Sequence, residues 1–269
     1  MACPVATPAV AGGGRSGLGR NFFALSPSVS TTMNRPRFAF LDASHADENT
    51  PRNFRRELDA DLVEFDATAG HLPDHFDYDG IVITGSSSSA YWDDEWIQNL
   101  VSWVAEADER GLPILGVCFG HQVVAAALGG TVEDMDDYEL GYSDVERTTN
   151  DDADDLLAGI SGQFTVFTSH GDYVSELPPG AELLAENGFG VHAFRRDHAF
   201  GVQFHPEYDT ETAEAIAREK DFLPDEQIQS VLDDITPENY DAACEAKRLF
   251  DNFVAYVDRV RTETVESAA

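Results

Sequence analysis

The sequence predicts an α/β fold, a single domain built on a mostly parallel central sheet, on two observations. From residue 37 onward, short strand-like runs alternate with apolar residues at helical spacing. Two of the runs, GIVITG and PILGVC, are continuously apolar, as expected of strands covered on both faces. Taken in order, strands are expected over 37–43, 62–66, 80–85 and 113–118. Before the fourth, Trp92, Trp96, Leu100, Trp103, Val104 and Ala107 recur at helical spacing, which assigns the three tryptophans to the core. Further strands are expected over 142–148, 164–169, 181–185, 191–196 and 200–204. Asp151, Asp152, Asp154 and Asp155 read as a solvated helix start, where acids favour the helix dipole. The acidic segment 208–248 reads as a helical insertion broken at Pro224 and Pro237. A last amphipathic helix carries Leu249, Phe250, Phe253, Val254 and Val257.

Residues 1–32 differ from the rest: they hold Arg15 and Arg20, no acid, and many Gly, Ala, Ser and Thr. They lack the continuous apolar segment of a secretory signal and a twin-arginine pair. They are expected to be a disordered extension or a start assigned too early, ahead of one domain over 33–262 and a tail over 263–269.

Charge excludes several function classes. Against 50 Asp and Glu stand 17 Lys and Arg, a formal net charge of -33, and the only lysines are Lys220 and Lys247. Such a surface repels phosphate backbones, so nucleic acid is not an expected partner. No apolar run approaches the roughly 20 residues of a membrane span, and a cytoplasmic location is expected. Self-repulsion of this size penalises compaction unless salt screens it. Lysine scarcity with acid excess resembles proteins of halophilic archaea. Cys3, Cys118 and Cys244 make no disulfide framework, which fits a reducing compartment. No CxxC pair supports a zinc site. Pro73 between His71 and His75 argues against a helical metal pair there.

The chemistry concentrates in PILGVCFGHQVVAAALGG, residues 113–130. A buried strand runs through Gly116-Val117-Cys118-Phe119-Gly120 into a helix, the G-x-nucleophile-x-G form of a nucleophile elbow. Flanking glycines leave room for a strained turn. The thiol then stands at a helix N-terminus, which favours thiolate, and the Phe119 N–H faces a developing oxyanion. In FGVQFHPEY, residues 200–208, His205 and Glu207 are i and i+2 at a strand end, so the carboxylate is placed to orient the imidazole. Elbow and His-Pro-Glu together read as a Cys-His-Glu triad.

GVCFGHQ followed by FHPE resembles the class I, triad-type glutamine amidotransferases over about residues 37–207 and the last helix. The resemblance implies a three-layer α/β domain with a flavodoxin-like core. It implies a reaction in which the cysteine attacks the glutamine side-chain amide, forms a γ-glutamyl thioester and releases ammonia. Carried over, Cys118 is the nucleophile, His205 the general base and acid, and Glu207 the orienting carboxylate. ITGSSSSAY falls where the family has its glycine-rich oxyanion loop, so Gly85 joins Phe119 in the oxyanion hole, although Gly85-Ser86-Ser87 departs from the usual GGP. Gln122 matches a substrate-holding glutamine. TSHGD, residues 168–172, resembles the segment of the GMP synthetase amidotransferase unit that holds the amino-acid end of glutamine, which implicates Ser169, His170 and Asp172. His170 is set aside as the base because no carboxylate is evident beside it. Glu139, Gly141 and Tyr142 match a Glu-x-Gly-aromatic segment read as structural. His121 either shapes the site or packs.

The resemblance implies L-glutamine as substrate and no cofactor. The P-loop pattern GxxxxGK[ST] is absent, so an ammonia acceptor is expected on a partner synthetase chain. The alternatives are a free-standing γ-glutamyl hydrolase with another substrate, kept open by Ser86 and Ser87, and a non-catalytic regulatory binding module.

Overall fold

The computed structural model describes residues 34–148 and 156–267, with side chains through 264. The expectations for residues 1–32 and for the 151–155 charge run lie outside these. The first half alternates β1 (Arg37–Asp42), α1 (Asn49–Glu57), β2 (Asp61–Asp66), β3 (Gly80–Ile83), α2 (Glu95–Glu109), β4 (Ile114–Val117) and α3 (Phe119–Ala127). Then follow β5 (Thr131–Arg147), β6 (Gln163–Glu176), β7 (Glu182–Asn187), β8 (Gly190–Arg196) and β9 (Ala199–Val202). The chain closes with α4 (Thr210–Arg218), α5 (Asp225–Asp234), α6 (Pro237–Ala243), a 3₁₀ turn (Cys244–Lys247) and α7 (Arg248–Ser267).

Among the described residues the strands form one sheet in the order β2-β1-β3-β4-β9-β8-β7-β5-β6. The first five are parallel neighbours, and β8, β7, β5 and β6 extend them antiparallel. Side-chain alternation along β1 explains the layering: Phe38 and Phe40 face one side, Ala39 and Leu41 the other. The first side packs on Phe54 of α1 and Leu249, Phe250, Phe253 and Val257 of α7. The second packs on Ile97, Leu100 and Val104 of α2 and Val123 and Val124 of α3. A smaller cluster seats α4 and α5 on the β5–β6 ribbon through Phe167, Ala213, Ala217 and Val231.

The structure departs from the sequence expectations at several points. Trp96 and Trp103 pack with α2, but Trp92 precedes the helix and is 44% exposed. The ribbon strands begin earlier or run longer than expected, because β5 and β6 pair with each other and their solvent-facing acidic stretches carry no apolar run. The two prolines are helix starts: Pro224 caps α5, and Pro237 takes the first turn of α6, where a missing N–H costs nothing. Helix α7 continues to Ser267, beyond the boundary expected at 262.

The direction of the parallel strands places the site. The chain moves from β1 outward to β2, then back across β1 to β3, so the topology switches between β1 and β3. Ligands of open α/β sheets bind beyond the carboxyl ends of the strands near such a switch. There the chain delivers the turn after β1, Gly85 after β3, Cys118 after β4 and His205 after β9.

Candidate active site

Cys118 sits in a sharp strand-to-helix turn with φ 54° and ψ -105°, outside the regions a side chain prefers. Its N–H donates to Val202 of β9, 2.8 Å away, which fixes the turn against the neighbouring strand. The flanking glycines are required by close approach. A Cβ on Gly116 would lie 2.2 Å from the Gly120 carbonyl oxygen, and one on Gly120 would lie 2.3 Å from the carbonyl oxygen of Ile83. Phe119 is the first residue of α3, so its N–H has no partner within the helix.

Strand β9 ends at Val202, and a turn brings His205 back over the elbow. His205 Nδ1–H donates to Glu207 Oε1 at 2.8 Å, which leaves Nε2 for the thiol. The expected i, i+2 geometry is therefore realised in a turn after the strand and not on it. Arg56 of α1 clamps this turn, with Nη2 donating to the Glu207 carbonyl at 2.6 Å and Nη1 to Asp209 at 2.8 Å. Tyr208 stacks on the imidazole. Burial alone would lower the pKa of His205. The charges of Cys118 and Glu207 and hydrogen bonds to both outweigh it and raise it to about 10. The environment of Cys118 and Glu207 thus favours the charged form of the His205 ring.

Every sequence-predicted site residue lines one cavity of about 640 Å³: Gly85, Cys118, Phe119, Gln122, Ser169, His170, Asp172, His205 and Glu207. A Cβ on Gly85 would stand 2.9 Å from His205 Cε1, so this position after β3 favours glycine beside the imidazole. Cys118 Sγ lies 3.8 Å from the Ser169 carbonyl oxygen. Ser169 Oγ bonds the Tyr138 hydroxyl at 3.1 Å. Asp172 accepts from the Tyr91 hydroxyl at 3.1 Å, and burial raises the pKa of its carboxyl against hydrogen bonds from Ser89 and Tyr91. The Gln122 amide donates to the Asp172 carbonyl at 3.1 Å and to Gln203 at 3.2 Å, so it ties the elbow helix to the strand bearing Asp172.

One argument from sequence fails. His170 does have a carboxylate beside it: Nε2 is 2.6 Å from Glu139 Oε2 on β5. It is still not placed as the base. Nδ1 faces the Asp172 carbonyl at 2.9 Å, which can only accept, so both ring nitrogens are engaged away from the thiol. The hydrogen bond from His170 and the nearby His192 ring hold the Glu139 carboxyl well below the usual range against the effect of burial. Glu139, His170 and His192 bring three donor atoms within 4.8 Å of one another, the spacing of a metal site. Here Glu139 is engaged by His170 at 2.6 Å and by the Asn187 amide on Oε1 at 2.8 Å, while among the described residues the ring nitrogens of His192 have no hydrogen-bond partner and Nε2 lies 3.2 Å from Glu139 Oε2. His121 is wholly buried against Phe194, and burial drives it down to about 3, so it is a neutral packing residue.

Among the lining groups that sequence reasoning missed are the β1–α1 turn with His45 and Ala46 at positive φ, Tyr138, Lys220 and Phe222. Only Tyr208, next to the His-Pro-Glu run, lay within reach of a motif argument.

Comparison with known proteins agrees with this geometry. The family model described as "Glutamine amidotransferase class-I" matches residues 42–223. A GMP synthase [glutamine-hydrolyzing] of Thermomicrobium roseum is 40% identical over 158 residues, covering 57% of this chain and 28% of that protein. One of Trichormus variabilis is 36% identical over 185 residues, covering 65% and 32%. The chain thus spans about a third or less of the length of these curated relatives. A glutamine amidotransferase structure from Thermotoga maritima superposes with a TM-score of 0.68 at 21% identity, covering 82% of this chain and 99% of that one. A glutamine amidotransferase structure from Methylobacillus flagellatus superposes with a TM-score of 0.68 at 20% identity, covering 82% and 95%. With the elbow, the sheet and the matched span in accord, the chain belongs to the class-I glutamine amidotransferase family.

Proposed function

We propose that the chain hydrolyses the side-chain amide of L-glutamine to glutamate and ammonia, with Cys118, His205 and Glu207 as the triad. The observation that carries this reading is the buried His205 ring, bonded to Glu207 at 2.8 Å and sharing one cavity with Cys118 at the carboxyl ends of the parallel strands. Sγ attacks the amide carbon, and the oxyanion is met by the N–H groups of Phe119 and Gly85. His205 Nε2 gives its proton to the departing nitrogen, which leaves as ammonia and a γ-glutamyl thioester. Water then attacks the thioester carbon and gives a proton back to His205, and glutamate departs as the C–S bond breaks. Gln122, Ser169, His170 and Asp172 organise the amino-acid end of the substrate.

The relatives include glutamine-hydrolysing GMP synthases, and the ammonia is assigned to a synthetase of that kind as acceptor. The charge of -33 supports a salt-adapted cytoplasmic enzyme. No helix among the described residues is long and apolar enough to cross a membrane. A second reading, a γ-glutamyl hydrolase with a bulkier leaving group, is favoured by one observation: a cavity of about 640 Å³ is roomy for glutamine alone.

Ammonia release from L-glutamine by the purified chain in high salt, with Cys118→Ala as control, tests the reading. Release that the variant abolishes supports it. No release, together with turnover of a larger γ-glutamyl amide, would select the second.

A further inference from the structure

The cavity is acidic. Asp47, Asp134, Asp172, Glu207 and Glu219 line it, and among the described residues Lys220 is the one Lys or Arg that does. His205 is also cationic but is committed to Cys118 and Glu207. Lys220 is one of two lysines in the chain, and the two differ in their surroundings. Lys247 is paired with Glu57 at 2.8 Å. Lys220 has no ion-pair partner among the described residues. Its Nζ instead stands 5.6 Å from the centre of the Tyr138 ring, which also forms a T-shaped pair with Phe222, centroids 5.2 Å apart. Tyr138 in turn bonds Ser169, the residue whose carbonyl faces the Cys118 thiol. An ammonium with no ion-pair partner among the described residues is thus held on an aromatic platform, three contacts from Cys118.

The substrate class that fits is a zwitterionic amino-acid head. Its ammonium suits the Asp172 and Asp134 side of the cavity. Its carboxylate would be repelled by the same residues unless a cation met it. Lysine suits this task as a compact point charge on a flexible stem. We propose that Lys220, on the turn between α4 and α5, binds the α-carboxylate of the γ-glutamyl substrate and selects substrates that carry one. The assignment rests on the glutamine-hydrolysis reading, and it gives the helical segment after Glu207 a part in substrate recognition.

The test compares wild type, Lys220→Met, Lys220→Gln and Lys220→Arg on L-glutamine and on its α-carboxamide, in which that carboxylate is neutral. Loss of a hydrogen bond to a charged group corresponds to about tenfold or more in KM, with kcat nearly unchanged, because the contact is equal in ground and transition states. Wild type should discriminate against the α-carboxamide by a similar factor, Met and Gln should lose that discrimination, and Arg should retain most of it. A KM for Lys220→Met equal to wild type, or equal losses on both substrates, would overturn the assignment. Labelling of Cys118 by 6-diazo-5-oxo-L-norleucine and by iodoacetamide separates the two readings. If wild type takes iodoacetamide but not the glutamine analogue, the glutamine reading fails and Lys220 with it. If wild type and Lys220→Met take both reagents at equal rates, only the Lys220 assignment fails.

Discussion

The Tyr208 ring lies flat on the His205 imidazole, with centroids 4.1 Å apart and planes 14° from parallel. Glu207 holds one ring nitrogen from the edge while Tyr208 covers a face, so the imidazole is fixed in two directions. Tyr208→Ala is expected to lower kcat about tenfold through looser positioning, whereas Tyr208→Phe should keep most of it. Steady-state ammonia release checks both, and equal loss in the two variants would move the role to the hydroxyl.

The charge state of His205 gives a pH prediction. Its folded value, about 10, lies above the unfolded value near 6.5. The stabilisation is therefore complete below about pH 6.5 and is lost as pH rises towards 10. Melting temperature should fall over this window, and His205→Gln should remove that part of the slope. In turnover, kcat/KM should stay level between about pH 7 and 9 and drop at higher pH, as the proton for the leaving nitrogen is lost. A steep rise through pH 7 would contradict an imidazolium in the resting site.

His121 has the opposite effect. Burial holds its folded value at about 3, so below pH 6.5 the unfolded chain takes up a proton that the native state refuses. Stability should decline on acidification by up to a few kcal/mol. His121→Leu should move the acid unfolding midpoint to lower pH, as followed by far-UV circular dichroism. An unchanged midpoint would assign the acid limit to other groups.

The elbow separates backbone strain from chemistry. Cys118→Ala should abolish turnover and leave the fold intact. Cys118→Gly should be equally inactive but more stable than the alanine variant by about 1 kcal/mol, because glycine tolerates the positive φ. Gly116→Ala and Gly120→Ala should each lose about 3 kcal/mol or more, since a methyl group would meet backbone oxygen with nowhere to shift. Urea denaturation of the four variants gives the order directly.

Salt dependence follows from the charge. At about 2 M KCl, where screening reaches only a few ångströms, the chain should melt well above its value at about 0.1 M. Equal melting curves would argue against salt adaptation.

The parallel half of the fold was legible because buried strands such as Gly80–Ile83 and Ile114–Val117 are apolar throughout and need no partner to be recognised. The antiparallel ribbon was less so. Thr131–Asp137 carries acids that face water on a sheet extension, and only pairing with β6 makes it a strand. The three residues of the proposed triad stood out in the sequence because each sits beside a local backbone device, the elbow glycines or the proline after His205. The Glu139 contact to His170 joins strands 31 residues apart in sequence, and no local pattern announces it. Lys220 was invisible for the same reason: its meaning depends on Tyr138, which another element brings to it.

The pairing of β4 with β9 has a consequence for synthesis. The strand that ends in the nucleophile takes its hydrogen-bonded neighbour from the stretch Ala199–Val202, translated long after it. Until that late strand slots in between β4 and β8, Cys118 has neither its backbone anchor on Val202 nor its base. On the proposed assignment, a nascent chain therefore carries Cys118 without its partner His205 until the sheet closes. The same long-range closure should make folding slow, since distant contacts must form before the site can exist.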